Sequence, residues 1–369
     1  MVLYTVVGFL FVLTIVVFFH ELGHFLVARW CGVGIKAFSI GFGPEIAGFN
    51  DRYGTRWKLA WIPLGGYVKF VDDDNVASAG GRKTLEQLTP EERKRSFQGK
   101  SLAQRAAVVA AGPIANFLLA IVIFTIMATF FGEQTTAAKV DAITPGSAAE
   151  KAGFLPGDLV ISIDGRAIEN FGEMQAIVSV NPGVALTFVV DRAGTQVEIK
   201  ATPEVKDVTD RFGNKFRMAQ LGIQRKATPG DWTMERHDPI TALGMAIKQC
   251  YEIIDRSVRY LFNVAAGEES ADQLGGPIRI AQISGQVASL GFLPLLNLVA
   301  LISVSIGFLN LFPVPMLDGG HLLYYAIEGI RGRPLSERSQ EIGFRIGLAL
   351  VLMLLIFVTR NDLIHLLFS

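Results

Sequence analysis

Long uncharged apolar segments are the main pattern along the chain. A bilayer core of about 30 Å is crossed by about 20 apolar residues in helical conformation. Segments of this kind cover 2–28, 106–132 and 292–311, and a weaker one covers 342–359, where Arg345 is expected to snorkel towards the interface. The pattern therefore predicts a polytopic α-helical membrane protein with about four transmembrane helices.

Between the second and third spans the pattern changes to that of a small α/β unit. Alternating runs at 159–164 and 186–191 predict strands, and 173–179 predicts a short helix. Apolar residues then recur at three- and four-residue steps from 240 to 261, which predicts an amphipathic helix either on the membrane surface or packed on the α/β unit. The predicted organisation is a first membrane half over 1–132, an α/β domain over 133–226, a helical tether over 227–291 and a second membrane half over 292–369.

Basic residues near the ends of the predicted spans indicate an orientation. They flank the connection between the first two spans and the connection between the last two, and they are Arg29, Lys36, Lys100, Arg105, Arg331, Arg333 and Arg338. Because cytoplasmic loops carry an excess of Lys and Arg, loops 30–105 and about 325–341 are predicted to be cytoplasmic. Both termini and the α/β domain are then expected on the opposite side.

Composition narrows the class of protein further. Of 369 residues, 50% are hydrophobic and 18% are charged, which is too apolar for one ordinary soluble domain. The formal net charge of zero gives no indication of a nucleic acid or an acidic partner. Cys31 and Cys250 are far apart, so neither a disulfide framework nor a cysteine metal site is expected.

The first predicted span ends in the sequence HELGH, which comprises His20, Glu21 and His24. Ionisable side chains at bilayer depth cost several kcal/mol unless they are paired or solvated, so they indicate function more often than structure. The two histidines are one helical turn apart and can bind one metal ion. Glu21 is displaced by about 100° around the helix, beside such a metal, where a general base must stand. The motif predicts a zinc site, and two packed histidines are the structural alternative.

A third ligand is expected from the sequence NLFPVPMLDGGH at 310–321. Asp318 is the only acidic residue between Asp272 and Glu328 and ends a long uncharged run, where an unpaired carboxylate would be costly. His321 is the competing candidate. The two prolines nearby break the helix, which at membrane depth requires a cavity or a protein lining, although they could also end a helix at the interface.

Several motifs, in order along nearly the whole chain, resemble the bacterial site-2 proteases, specifically the regulator of sigma-E protease group. They are HELGH, PLGGYVKF at 63–70, AGPIAN at 111–116 and NLFPVPMLDGG at 310–320. Between them, GSAAEKAGFLPGDLVISIDG at 146–165 resembles a bacterial PDZ domain, of which this chain has room for one where the best-studied members have two. The resemblance implies that His20, His24 and Asp318 bind zinc, that Glu21 is the base, and that Asn310, Pro313 and Pro315 hold and unwind the substrate.

The sequence WKLAWIPLGGYVKF at 57–70 predicts a β-hairpin that dips into the membrane edge. A free strand at Gly65, Gly66 and Tyr67 could pair with an unwound substrate, because extended peptides bind by adding a strand to a sheet edge. An ordinary interfacial hairpin is the alternative.

These features together predict an intramembrane zinc endopeptidase that cleaves transmembrane segments of single-pass membrane proteins. The resemblance implies regulated intramembrane proteolysis in a bacterial inner membrane, with anti-sigma factors after a first cleavage, or remnant signal peptides, as substrates. A metal transporter and a catalytically silent PDZ membrane scaffold are the alternatives. A transporter would need ionisable residues along a path, and a scaffold would not need Glu21.

Overall fold

The computed structural model describes residues 2–72, 89–209, 215–267, 271 and 275–368. The chain forms two compact units. The first, called the membrane unit here, runs to Ile126 and resumes over Pro239–Phe368, and the second, the inserted unit, is Met127–Asp238.

Ten α-helices lie in the described residues. They are α1 (Val2–Trp30), α2 (Pro90–Arg95), α3 (Leu102–Ile126), α4 (Ala148–Ala152), α5 (Phe171–Ser179), α6 (Pro239–Ala266), α7 (Pro277–Ser289), α8 (Phe292–Asn310), α9 (Asp318–Arg331) and α10 (Glu337–Phe368). Among them, four segments are long and apolar enough to cross a membrane: Val2–Trp30, Leu102–Phe131, Phe292–Asn310 and Arg338–Ile364. This is the number of spans that the hydropathy pattern predicts.

The fourth span is longer than predicted. The sequence pattern places it at 342–359, whereas the apolar helix extends over Arg338–Ile364. Arg345, which lies inside the predicted segment, is paired one turn away with Glu341 at 2.6 Å. Since such a pair at i and i+4 supports a helix, the charged residues continue α10 and do not end it.

Twelve strands are present in the part of the chain that the structure describes. They are β1 (Ile35–Asn50), β2 (Arg56–Phe70), β3 (Glu133–Thr136), β4 (Ala142–Ile143), β5 (Leu159–Ile163), β6 (Arg166–Ala167), β7 (Leu186–Arg192), β8 (Thr195–Ala201), β9 (Glu204–Thr209), β10 (Lys215–Gln220), β11 (Ile223–Gln224) and β12 (Trp232–Glu235). β1 and β2 belong to the membrane unit, and the remaining strands belong to the inserted unit.

Small residues bring α1 close to its neighbours in the membrane unit. A Cβ atom on Gly8 would lie 2.7 Å from the carbonyl oxygen of Ser284 in α7, and one on Gly23 would lie 2.2 Å from that of Ala111 in α3. Glycine permits such approaches in membrane helices, where association depends on packing. Gly23, which makes the second contact, is next to His24. α1 therefore packs closely on α3 at the level of its HELGH motif.

The hairpin of β1 and β2 is more elaborate than predicted. Residues 37–40 of β1 pair on both sides, with 56–59 and with 66–69 of β2. The first and last parts of β2 therefore lie on opposite sides of residues 37–40, with a bend at Gly65, whose φ is +103°. Residues 66–70, called the edge strand below, pair with residues 35–40 of β1.

The tip of the hairpin is tied to the end of α1. Arg29 donates to the Asp51 carboxylate at 2.6 Å, and Trp57 donates to it at 3.3 Å. Burial acts to raise the pKa of Asp51, but these bonds and the backbone N–H groups of Tyr53 and Thr55 outweigh it and hold the pKa well below its usual range. The carboxylate therefore stays ionised and anchors the hairpin.

A carboxylate from α10 caps the N-terminus of α7. Asp362 is 3% exposed and accepts the backbone N–H of Gly276 at 2.9 Å and those of Ile278 and Arg279 at 3.1 Å. These N–H groups have no partner inside the helix, and a carboxylate also suits the positive end of the helix dipole.

We expect Asp362→Ala to destabilise the protein by about 1–3 kcal/mol, because it leaves buried donors without an acceptor. Asp362→Asn keeps one acceptor oxygen and should fall between the alanine variant and the wild type. Thermal unfolding of the full chain in detergent measures the effect. Asp255→Ala is the control, since it removes an exposed pair with Arg259 that contributes little. Equal melting temperatures for the two alanine variants would show that the cap does not stabilise α7.

The inserted unit is built around a four-stranded antiparallel sheet in the order β6-β5-β7-β8. Its core includes the fully buried side chains of Val140, Phe154, Val160, Ile163, Phe188 and Val190. The strands predicted at 159–164 and 186–191 are β5 and β7, and the predicted helix at 173–179 is the C-terminal part of α5. The alternating pattern therefore identified the central strands of this sheet.

The inserted unit begins and ends in a two-stranded ribbon. β3 and β12 pair antiparallel, with Glu133 opposite Glu235 and Thr136 opposite Trp232. Before β3, the last turn of the second membrane span is π-helical over Met127–Phe131.

The predicted amphipathic helix is α6, and it packs on membrane helices. Small side chains at Ala242, Ala246 and Cys250 are buried, and α6 contacts α3 and α8. Several of its other apolar side chains, Ile240 and Phe262 among them, are exposed. Neither of the two locations expected from the sequence included this packing, because the periodicity shows an apolar face but not what covers it.

Candidate metal centre

Three donor atoms converge in the membrane unit. The Nε2 atoms of His20 and His24 on α1 are 3.3 Å apart. Oδ2 of Asp318, the first residue of α9, lies 3.2 Å from the first and 3.5 Å from the second. Tetrahedral zinc with bonds of about 2.0–2.1 Å separates its ligand atoms by about 3.3 Å. The three donors therefore have the spacing and the chemistry of a zinc site with a fourth position open.

The carboxylate of Asp318 supports the same conclusion. Its Oδ2 atom is buried and accepts no hydrogen bond from the described residues. A buried carboxylate oxygen without a partner is costly, and a bound cation would satisfy it. His321, the competing candidate for third ligand, lines the adjoining cavity, while the cluster of donors consists of His20, His24 and Asp318.

A folded loop places Asp318 at the start of α9. α8 ends at Asn310, and Met316 in the loop has a φ of +122°, a strained conformation of the kind that clusters at functional sites. The loop then turns back on α9. A Cβ on Gly319 would lie 2.2 Å from the Leu311 carbonyl oxygen, and one on Gly320 would lie 2.3 Å from that of Val314. Both glycines are needed for this close return of the chain.

α3 fixes the rings of both histidines. Nδ1 of His24 is 2.8 Å from the carbonyl oxygen of Val108, so its N–H donates there and Nε2 remains free for a metal. Nδ1 of His20 is 3.2 Å from the side-chain amide of Asn116. Gly112 lies between these contacts, where a Cβ would be only 2.3 Å from Nε2 of His24.

Sequence reasoning did not assign Gly112 or Asn116 to the site. Both lie in the AGPIAN motif, which contributed only to the resemblance. An asparagine inside an uncharged span was the available signal, because polar groups at that depth need a partner.

Glu21 lies in a cavity of about 370 Å³ beside the donor cluster. A Cβ on Gly66 would lie 2.9 Å from Cγ of Glu21, so the edge strand packs against the Glu21 side chain. The remaining wall is largely apolar and aromatic, with Phe42, Phe70, Phe97, Met316, Tyr325 and Phe344 among its members. The carboxylate therefore stands next to the metal ligands in a space large enough for part of a substrate chain.

The predicted substrate-binding residues divide into two groups. Gly66, Tyr67 and Asn310 line the cavity, together with the donor cluster. Among the described residues, Gly65, Pro313 and Pro315 are not part of the lining. They shape the bend of β2 and the loop before α9 instead, as the positive φ of Gly65 indicates. Direct contact of any of these residues with a substrate stays a prediction.

Comparison with known proteins agrees with this geometry. Residues 8–354 match the family model described as Peptidase family M50. A Rhizobium meliloti protein that carries the name of a zinc metalloprotease is 49% identical over 360 residues, which cover 98% of this chain and 96% of the relative. A relative with the same type of name from Mesorhizobium japonicum is 49% identical over 364 residues, covering 98% and 99%. The metalloprotease MmpA of Caulobacter vibrioides is 38% identical over 379 residues, covering 97% and 94%.

The family match extends from α1 into α10, so it includes the HELGH motif, Asp318 and the membrane spans. It confirms the resemblance to site-2 proteases that the motifs indicated. The chain therefore belongs to peptidase family M50 and is a zinc-dependent metalloendopeptidase with four candidate membrane helices.

Proposed function

We propose that this metalloendopeptidase cleaves transmembrane segments of single-pass membrane proteins inside the bilayer. His20, His24 and Asp318 are the zinc ligands in this proposal, and Glu21 is the general base. The observation that carries it is the position of the donor cluster. Two donors lie on the first membrane helix, and the third lies on α9, shortly after the third membrane helix. The cavity beside them is lined by residues of the edge strand.

The chemistry follows from the groups that line the cavity. His20, His24 and Asp318 would hold the zinc ion, which would supply Lewis-acid activation of the water that attacks the peptide carbonyl carbon. Glu21 is placed to accept a proton at its carboxylate and to return it to the amine nitrogen of the leaving peptide. The fixed rings of the two histidines keep the ligand atoms in place, so little reorganisation is needed during reaction.

A helical substrate must unwind before it can be cut, because its peptide groups are hydrogen-bonded to each other. The edge strand supports this step, since it pairs with β1 and its residues Gly66, Tyr67 and Val68 line the cavity. An unwound segment could pair with that edge and regain backbone hydrogen bonds. Asn310 lines the cavity near Asp318 and offers a further polar group for a substrate backbone.

The inserted unit acts as a PDZ domain in this proposal. A small cavity of about 70 Å³ has α5 on one side. On the other side are the end of β10 and the start of β11. Phe171, Met174 and Val178 line it from the helix, and Leu221 and Ile223 line it from the strand side. A groove between a helix and a strand edge suits an extended peptide that binds by strand addition.

The cellular setting rests on the resemblance and on the distribution of charge. We assign the protein to a bacterial inner membrane, with loops 30–105 and about 325–341 in the cytoplasm and the termini and inserted unit in the periplasm. Anti-sigma factors after a first cleavage, or remnant signal peptides, are the expected substrates in regulated intramembrane proteolysis. A transporter or a silent scaffold is less well supported, because the described residues contain one compact donor cluster with a carboxylate beside it.

Cleavage should depend on how easily the substrate helix unwinds. A single-span substrate with two glycines near the cut site is compared with one that carries alanine at both positions. Each glycine lowers the cost of unwinding by about 1 kcal/mol, so the glycine substrate should be cleaved about 20 to 30 times faster. The measurement is the initial rate with purified protein in detergent, and a zinc chelator should stop both reactions. Equal rates would contradict the proposed role of unwinding, and cleavage in excess chelator would contradict the metal chemistry.

A further inference from the structure

We infer that Asn116 is a positioning residue that holds His20 in the form that can bind zinc. The inference rests on the proposed ligand set of His20, His24 and Asp318. The Asn116 side chain, on α3, contacts Nδ1 of His20, which is the ring nitrogen on the far side from the donor cluster. It is not itself one of the donors.

The contact between Asn116 and His20 has an unusual pattern of partners. Asn116 is fully buried, its Nδ2 atom is 3.2 Å from Nδ1 of His20, and its Oδ1 atom accepts no hydrogen bond from the described residues. The oxygen and nitrogen of an amide exchange places by a half-turn of the side chain. That half-turn places Oδ1 of Asn116, which otherwise has no donor among the described residues, next to Nδ1 of the His20 ring.

Only this second orientation is compatible with a metal on Nε2. A neutral imidazole carries its proton on one nitrogen and a lone pair on the other. For His20 to offer the lone pair at Nε2, which points at Asp318 and His24, the proton must be on Nδ1 and needs an acceptor. Oδ1 of Asn116 is that acceptor. In this arrangement the Nδ1–H group of His20 has an acceptor and Oδ1 of Asn116 has a donor.

The backbone around Asn116 is held by α8. Ser303 donates its hydroxyl hydrogen to the carbonyl oxygen of Asn116 at 2.9 Å, and both groups are buried. A Cβ on Gly307 would lie 3.2 Å from the Cβ of Asn116, so the two helices touch at this level. α3 thus orients both histidine rings, His24 through a backbone carbonyl and His20 through a side chain. Only the second contact can be removed by substitution.

The test is the zinc affinity of the purified full chain in detergent, measured by competition with a chelator. Asn116→Ala removes the acceptor and should weaken zinc binding by about 10–100-fold. Asn116→Asp keeps an acceptor at the same place, cannot donate, and should bind zinc at least as tightly as the wild type. The absorption spectrum of the cobalt-loaded protein should change in the alanine variant and not in the aspartate variant. Thr125→Ala on the same helix is the control, since that hydroxyl donates to the Ile121 carbonyl oxygen in its own turn.

Each outcome decides the inference. Wild-type zinc affinity in Asn116→Ala would overturn it, and so would a loss in Asn116→Asp, which would show that the amide donates to His20. If the alanine variant does not fold, the aspartate variant alone decides. Asp318→Ala tests the proposed ligand set separately. Retention of zinc by that variant would reject the ligand set, whereas its loss combined with wild-type binding in both Asn116 variants would reject only the role of Asn116.

Discussion

A Glu21→Gln variant is expected to keep its zinc and lose at least about 100-fold in peptide cleavage, because general acid–base catalysis contributes about 10²–10⁴-fold. The amide has nearly the shape of the carboxylate, so it should still fit beneath Gly66, but it cannot accept the proton. The proposed ligands on α1 and α9 are unchanged. The measurements are the zinc content per chain and the cleavage rate of a single-span substrate.

Two other results for this variant would have different meanings. Wild-type cleavage with zinc bound would show that another group is the base. Loss of zinc together with activity would show that Glu21 ligates the metal, contrary to the cluster of His20, His24 and Asp318. Glu252→Gln is the matched control, since this residue forms exposed pairs with Lys248 and Arg256 on α6. It should leave cleavage and zinc content unchanged.

Gly112→Ala is expected to weaken zinc binding by more than about 100-fold, although it adds only one methyl group. The new Cβ would lie 2.3 Å from Nε2 and 2.5 Å from Cε1 of His24, and 2.8 Å from Cε1 of His20. These distances are far below van der Waals contact, and the His24 ring cannot turn away without losing its bond to Val108. Loss of an outer partner costs about 10–100-fold in metal affinity, so displacement of a ligand ring should cost more than about 100-fold.

Zinc affinity and cleavage rate of the Gly112→Ala protein provide the test. Gly244→Ala is the matched control, because Gly244 is also helical but has open space where its Cβ would stand. Alanine should be tolerated there and should favour the helix by about 0.5–1 kcal/mol. Normal zinc affinity in Gly112→Ala, with a folded protein, would mean that α3 does not lie against the histidine rings as described.

The sequence predicted the parts of the site whose chemistry is local. Two histidines one turn apart identify one helix face, and Glu21 follows from its position between them. Asp318 could be singled out because it breaks a long uncharged run, even though its distance from His20 in the fold was unknown. The spans were found for the same reason, since bilayer thickness imposes a length that each segment shows by itself.

The remaining parts depend on contacts between distant segments. Gly112 and Asn116 matter because α3 packs on α1 with little space between them, and no single-segment pattern reports that distance. The edge strand was predicted as part of a two-stranded hairpin, because pairing of one strand on both sides requires the bend at Gly65. The partner of α6 was missed for a similar reason: small residues at Ala242 and Ala246 fit many neighbours equally well.

The ribbon formed by β3 and β12 has a consequence for how the inserted unit can be inherited. Paired Cα atoms in antiparallel strands are about 4.5–5.5 Å apart, so the chain enters and leaves the unit at almost the same point. Loss of the DNA that encodes the residues between the two strands would leave ends that a short turn can rejoin. Duplication of the same stretch would add a second unit in series without stretching the flanking helices. The inserted unit can therefore be lost, replaced or repeated without a change in the sequence of the helices that carry the metal ligands.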